Sequence, residues 1–403
     1  MPSYRRNIYI LSITIFLASV SWNQIVPFLP LFLQELGTEE DRLLLWSGIV
    51  FAAQSAAAII AFPFWGKLGD RHGRKPMVLR AGICLTGIYY GMSFCTTPWQ
   101  LALFRFLNGA LTGFIPGSFA LIATNSPQEK APRAVATAQT AAAAGTVIGP
   151  ALGGLLAAVF GYRGAMRISG TAVLISTILV AWLVKEINKS RSQDKTSLLQ
   201  DLAASVRSPV LSSIMVAVML QGVFITALAP ILALHLERLG GNGADWVIGV
   251  VFALPAVAFM LTARLWTRSG ERWGFHRMIL FGMIGTAIGT FSLVTAQSVL
   301  TFGILFFGAG IWLAAITPSA GAIVCVRVEE TFRGRAYGMQ MSAMMLGGLF
   351  APIVATQIGA ACGMSAIFIS LAVLFLVGAF IFRLLAQKWV DDLPVTESPA
   401  VKE

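Results

Sequence analysis

The chain has 403 residues, 57% hydrophobic and only 12% charged, with a mean hydropathy of +0.77. Water-soluble domains carry about 25% charged residues, so a single soluble core is excluded. The net charge of +11 would suit a polyanionic partner, but the placement of the basic residues argues for another role.

A bilayer-spanning helix needs roughly 20 mainly apolar residues, and in hydrocarbon only helices or closed barrels satisfy the backbone. The apolar runs here are continuous, not alternating over ~10 residues as a barrel requires. They predict twelve helices, near 8–33, 44–66, 76–96, 99–123, 134–159, 163–184, 210–236, 246–267, 276–296, 298–324, 335–360 and 364–386. Tyr4, Arg5 and Arg6 give the first run the flank of a signal peptide. The run is too long for one, and no small-residue cleavage site precedes Gln34-Glu35, so it reads as an uncleaved first helix. With the N-terminus cytoplasmic, inner loops and tails, with the inner ends of the spans, hold 24 of the 29 Lys and Arg. Arg42, Arg163, Arg167 and Arg238 fall outside, and Arg105 lies within a span. That is the positive-inside pattern: the charge reports orientation, and no nucleic-acid partner is expected.

Between spans two and three, Gly66-Lys-Leu-Gly-Asp-Arg-His-Gly-Arg-Lys75 sets a charged turn between apolar runs. Gly69 and Gly73 permit a tight reversal, and Asp70 can pair with a neighbouring arginine and accept from a helix N-terminus. In the fourth span, Leu101-xxx-Arg105-xx-Asn108-Gly109 puts a guanidinium in hydrocarbon. Insertion scales set that cost at ~2.5 kcal/mol or more, and such residues usually face a cavity; snorkelling to the outer interface is the alternative. The fifth span carries Gly145-xxx-Gly149-Pro150-xx-Gly153-Gly154. Glycines four apart form a smooth groove for close helix approach, and Pro150 bends its helix. Cys84, Cys95, Cys325 and Cys362 show no metal-like spacing and read as packing residues; no metal site is expected.

Residues 185–209 form the only long polar segment and divide six spans from six. The expected organisation is a bundle over 1–186, a cytoplasmic linker over 187–209 and a second bundle over 210–403. The halves overlay at several places. Thr267-Arg-Ser-Gly-Glu-Arg-Trp-Gly-Phe-His276 repeats the charged turn about 201 residues on, with Glu271 and Arg272 in the places of Asp70 and Arg71. Pro27 to Gly37 matches Pro230 to Gly240 at 203; Pro132-Arg133-Ala134 matches Gly334-Arg335-Ala336, and Gly145 to Pro150 matches Gly347 to Pro352, both at 202. Such repeats characterise transporters that rock around a midplane site.

These motifs resemble the major facilitator superfamily over the whole chain, and within it the twelve-helix drug:proton antiporters. Pro27-Phe-Leu-Pro-Leu-Phe, Trp46-Ser-Gly-Ile-Val-Phe51, Pro63-Phe-Trp-Gly66 and Leu121-Ile-Ala-Thr124 resemble the MdtG-type multidrug exporters. The resemblance implies an all-α integral membrane fold of twelve helices in two pseudo-symmetric six-helix bundles. It implies a bacterial inner-membrane location with both termini cytoplasmic. It also implies a conformational latch of Gly66, Asp70, Arg71, Gly73, Arg74 and Lys75, with Arg133, toward the start of the eleventh helix at Arg335. Glu271 and Arg272 would form a weaker copy. The glycines from 145 to 154 imply export, and Arg105 is implied in proton transfer.

None of the 18 Asp and Glu falls mid-membrane, so the residues alone do not identify a proton carrier. Arg105, His235 and Glu237 are the candidates, His because it titrates near neutrality. Uncharged polar and aromatic residues mark a candidate cavity: Asn23, Gln24, Gln54, Asn108, Gln139, Gln221 and Gln340, with Trp22, Phe28, Trp312 and Met344 or Met345 around them. A Met- and aromatic-rich cavity suits lipophilic, neutral or weakly cationic molecules. The expected protein is a monomeric secondary transporter with a small-molecule substrate, the bilayer as its other partner, and a proton gradient in place of a cofactor. A facilitative or proton-coupled sugar or metabolite carrier on the same scaffold stays open. A membrane-embedded enzyme or sensor is remote, because no catalytic motif is present.

Overall fold

A computed structural model describes residues 3–111, 113–127, 131–186, 207–241, 245–328 and 330–390; the predicted linker lies outside these but for its last three residues. The described chain is helical. α1 (Ser3–Ile25) runs through a 3-10 turn, Val26–Phe28, into α2 (Leu29–Glu35). There follow α3 (Glu40–His72), α4 (Arg74–Ser93), α5 (Pro98–Leu111), α6 (Phe114–Asn125) and α7 (Ala131–Leu183). The second half holds α8 (Pro209–Leu236), α9 (Asp245–Trp273), α10 (Phe275–Ser292), α11 (Val299–Leu313), α12 (Ile316–Arg327), α13 (Glu330–Cys362) and α14 (Met364–Val390).

Ten stretches of the described residues are long and apolar enough to cross a membrane. One of them, Thr137–Leu183, is divided at Gly161, whose backbone leaves the helical region. α4 is a further helix of 20 residues, held below the same hydropathy by Arg80, Tyr89 and Tyr90. The predicted twelve traverses rest on those two points.

Small residues decide how closely the helices approach. α1 packs on the first part of α7, and α8 on α13. A methyl group added at Gly145 would come within 2.6 Å of Ser19 Cβ, and one at Gly149 within 2.7 Å of Asn23 Cβ. In the second half Gly347 lies against the Met219 carbonyl and Gly222 against that of Met344. Gly145 and Gly347 are the pair matched in sequence, so the repeat is one of packing as well as of residues.

The halves meet along two seams, α7 with α9 and α3 with α13. Both seams sit at the end away from the Gly73 and Gly274 turns: Gly154 abuts Asp245 and Trp246 at the start of α9, and Gly48 abuts Pro352 and Thr356. We call this the far end, and the end with the charged turns the basic end. The buried core agrees. One apolar body joins Phe28, Phe32 and Phe51 to Phe224, Phe302 and Phe368 across the halves. A separate cluster of Leu11, Ile15, Val78, Phe114, Leu121 and Val180 belongs to the first half near the basic end.

Two traverses are discontinuous. The chain breaks between α5 and α6 at Gly113, whose φ is 128, and between α11 and α12 at Ala314 and Ala315. Pro116 and Pro318 are each the third residue of the helix that resumes, where a missing N–H costs nothing. In each break a tryptophan meets the carbonyl set free. Trp65 Nε1 donates to the Ala110 carbonyl at 2.7 Å and Trp266 Nε1 to that of Ile311 at 2.8 Å.

Candidate functional site

At mid-depth, between the halves, lies a cavity of about 340 Å³. α1 and its following turn, together with α7, form one wall; α8, α9 and α11 form the other. Its surface is mainly apolar, with Phe224, Phe252, Phe259 and Phe306 among the lining residues. The polar side chains that line it are Asn23, Thr146 and Gln221, and no lining residue is charged. Pro150, of the predicted glycine–proline motif, also lines it.

Each polar lining group is already oriented by a neighbour. Asn23 Nδ2 donates to the Ser19 carbonyl at 2.8 Å and reaches Thr146 Oγ1 at 3.5 Å, so its Oδ1 is left as an acceptor. Gln221 Oε1 accepts from Thr317 Oγ1 at 2.6 Å, which leaves Nε2 as a donor. The site offers aromatic packing and a few directed hydrogen bonds, as expected of a pocket that positions a largely apolar molecule.

The structure places the other predicted cavity residues elsewhere. Gln24 is buried inside the first half, where its amide donates to Ala165 O and Ser169 Oγ. Gln54 and Asn108 are buried between α3 and α5, with the Tyr89 side chain against Asn108. Gln139 is exposed on α7. Trp312 is half-exposed with its ring 5.5 Å from that of Trp266. Gln340 is buried with Nε2 unpartnered among the described residues, and the Met344 carbonyl packs on Gly222.

Arg105 is buried within the first half, its guanidinium 5.5 Å from the Phe51 ring and its Nε without a partner among the described residues. It does not line the cavity. His235 is wedged between Phe302 and Phe368, with ring centroids 5.2 and 5.3 Å away. Glu237 opens the π-helical turn Glu237–Gly241 at the far end, beside the start of α9.

Of the predicted latch, Gly66, Asp70 and Arg71 in α3, Arg133 in α7 and Arg335 in α13 have surroundings outside the described residues. Glu271 and Arg272 are exposed in the last turn of α9. The turn at Gly73 is well defined and shows a partner that the sequence did not signal. Glu186, just past α7, accepts from the backbone N–H of Arg74 at 2.6 Å and of Lys75 at 3.3 Å. A carboxylate there satisfies N–H groups that the helix leaves free and complements its dipole. Gly73 has φ 100, and a methyl group on it would lie 2.8 Å from Glu186 Oε2. Lys75 Nζ donates to the Ala181 carbonyl, and Asn7 and Asn125 both donate to that of Lys185.

At the far end Tyr162 donates across the halves to Asp245 Oδ1 at 3.4 Å and stacks on Phe28. Next to it Arg163 pairs with Glu35 at 3.0 Å and donates to the Ser93 carbonyl. Arg163 was flagged in sequence only as a basic residue outside the charge pattern. The two indole bridges had a clearer signal: Trp65 and Trp266 lie 201 residues apart, and Pro116 and Pro318 lie 202 apart.

Comparison with known proteins agrees with this geometry. The family model described as Major Facilitator Superfamily matches residues 11–247 and 210–402. The chain is 31% identical over 359 residues to a multi-drug resistance efflux pump PmrA homolog of Lactococcus lactis, covering 88% of this chain and 89% of that one. It is 30% identical over 371 residues to the multidrug resistance protein MdtG of Escherichia coli, covering 91% of each. A bacterial homolog of the human lysosomal transporter Spinster, inward-facing and occupied, superposes with a TM-score of 0.80 at 15% identity, over 99% of this chain and all 100% of that one. The nucleoside transporter NupG gives 0.76 at 14% identity, over 95% and 99%. At such identities the solved structures speak for the fold alone.

Proposed function

Because the chain belongs to the Major Facilitator Superfamily and is a multi-pass secondary transporter, we propose that it exports small lipophilic molecules by alternating access. One observation carries this reading: an uncharged, aromatic-lined cavity is shared by both halves and sealed at one end by seams that the Gly145–Gly154 segment helps to build. The names of the efflux relatives support the same direction. The charge pattern supports a basic end in the cytoplasm, with both termini there, in a bacterial inner membrane. In that orientation the separation of the two cores at the basic end makes this an inward-open state, ready to load substrate from the cytoplasm or inner leaflet.

The transported class is neutral or weakly cationic, since no lining residue could compensate a strong charge. The driving force in this reading is a proton gradient, with no cofactor. The protein acts as a monomeric carrier and not as an enzyme, with a small molecule and the bilayer as its partners. The latch stays part of the proposal, with Asp70 drawn to Arg335 when the basic end closes. No lining residue titrates near neutrality, which favours facilitated diffusion as the second reading. Energised everted vesicles decide between them: exporter-driven uptake of a fluorescent lipophilic dye should collapse when the pH gradient is dissipated. Uptake that survives the collapse points to the facilitative carrier, and no uptake of any lipophilic dye sinks the export reading.

A further inference from the structure

Both halves contain the same break, but the second uses it differently. In each, an indole N–H from the traverse two before it holds the freed carbonyl, Trp65 to Ala110 and Trp266 to Ile311. In the second half the freed carbonyl has a clear origin: Ala315 N bonds back to Trp312 O at 3.1 Å, in the tighter i−3 pattern. The residue two positions before the break's proline is Phe114 in one half and Ile316 in the other; the residue immediately before it is Ile115 or Thr317. Ile115 packs on the apolar cluster of the first half. Thr317 instead donates its hydroxyl to Gln221, a cavity residue on α8. Gly310 and Leu313, on the other side of the same break, also line the cavity.

We propose that Thr317 is a positioning residue for substrate recognition. It holds the Gln221 carbonyl so that the amide N–H is the hydrogen-bonding contact offered by the second half, against the Asn23 carbonyl offered by the first. This rests on the reading of the cavity as the substrate site, and it deepens that reading. The substrate class it selects carries both an acceptor for Gln221 and a donor for Asn23 on an otherwise apolar body, as amides, ureas and hydroxy-ketones do. Trp266 fixes the residues before the break and Thr317 those after it. The orientation of the Gln221 amide is therefore tied to the shape of the tenth traverse.

Two probes in everted vesicles separate this role from general packing. Doxorubicin carries hydroxyl and carbonyl groups, whereas tetraphenylphosphonium, a weakly hydrated cation whose charge is shielded by four phenyl rings, has neither donor nor acceptor. Thr317→Val keeps the side-chain shape and removes the hydroxyl, and Thr317→Ala serves if the valine variant does not insert. The KM for doxorubicin, taken relative to that for tetraphenylphosphonium, should rise about fivefold, the worth of one directed hydrogen bond. Thr317→Ser should restore the original ratio. An unchanged ratio in Thr317→Val, or a serine variant that behaves like the valine one, overturns the proposal. A second measurement needs no substrate: hydrogen–deuterium exchange on the purified full chain. Amides in the first turn of α12 should exchange faster in Thr317→Val than in Thr317→Ser, and equal exchange in all forms overturns the tie. Transport of neither probe by the unaltered chain would count against the export reading alone, because the exchange result still decides the role of Thr317.

Discussion

The carbonyl of Pro150 fills the space that a side chain at Gly249 would need, and at Gly48 the Thr356 hydroxyl does so, with the Pro352 carbonyl beside it. The two contacts are related by the internal repeat, and both bridge the halves at the far end. A proline in a bent helix and a glycine on the opposing helix thus form each seam, with the backbones in direct contact. Gly249→Leu should force the seam apart, since overpacking costs about 1–3 kcal/mol and each ~1.4 kcal/mol moves a two-state population tenfold. Transport should fall at least about fivefold while membrane insertion is kept, and Gly48→Leu should do the same. Gly87, with nothing within 4 Å of an added methyl, is the control: Gly87→Ala should transport normally. Normal transport by Gly249→Leu would remove the seam from the cycle.

Glu186 and Gly73 make a second, local prediction. The carboxylate caps α4 through two backbone N–H groups, one of them at 2.6 Å. Glu186→Ala should lower stability by about 1–2 kcal/mol, the range for charge-assisted caps. Glu186→Gln should fall between the two, because it keeps an acceptor and loses the charge. Gly73→Ala should cost more than either, since it adds a left-handed backbone conformation for a non-glycine residue to the crowding against Glu186. Thermal unfolding of the detergent-solubilised protein ranks the four forms, and an unaffected Glu186→Ala would make the cap incidental.

Much of the fold was legible because hydrocarbon imposes one rule on every span, that the backbone satisfies itself, and the repeat at 202 is carried by residues that must be small. Gly145 and Gly347 could be paired by eye because only glycine suits both places. The cavity was legible only in part. Asn23 and Gln221 line it, but Gln24, one residue on, points into its own bundle and bonds Ser169. Adjacent helical residues face about 100° apart, and an apolar span without a polar face gives no phase from which to choose between them. Glu186 was invisible for another reason. Its partners are backbone N–H groups 111 and 112 residues away, and no sequence pattern marks a cap supplied from so far along the chain.

His235 gives a prediction of retention. It sits in an aromatic slot between Phe302 and Phe368, and its Nε2 has no partner among the described residues. His235→Phe fills the slot and removes a buried, unsatisfied polar atom, which should stabilise the protein by about 1 kcal/mol. The pH profile of transport should be unchanged. A loss of pH dependence in this variant would return His235 to the proton pathway.

Arg105 should behave in the opposite way. The guanidinium is 5% exposed and lies over Phe51, with no acidic partner among the described residues, where a buried cation is costly and is seldom kept without a function. Arg105→Gln removes the charge and keeps donors in roughly the same place. If Arg105 takes part in coupling, this variant should still insert and bind dye, yet its transport should no longer respond to the pH gradient. A gradient response equal to that of the unaltered chain assigns Arg105 to packing of α3 against α5.

Tyr162 supplies the most direct test of the far-end closure. Its hydroxyl donates to Asp245 across the halves at 3.4 Å, and its ring stacks on Phe28 with centroids 6.1 Å apart. Tyr162→Phe keeps the stacking and removes only the hydrogen bond, worth about 0.5–1.5 kcal/mol. The closed far end should then lose population by a factor of about 2 to 12, which pulsed electron spin resonance between labels placed on the two halves can read as a longer distance component. Arg163→Ala breaks the adjacent ion pair with Glu35, but that pair lies within the first half and is partly exposed, so its loss should move the same distribution little. The two variants therefore separate a bond that crosses the seam from one that only braces its edge. If both leave the distances unchanged, the glycine–proline contacts alone hold the far end shut.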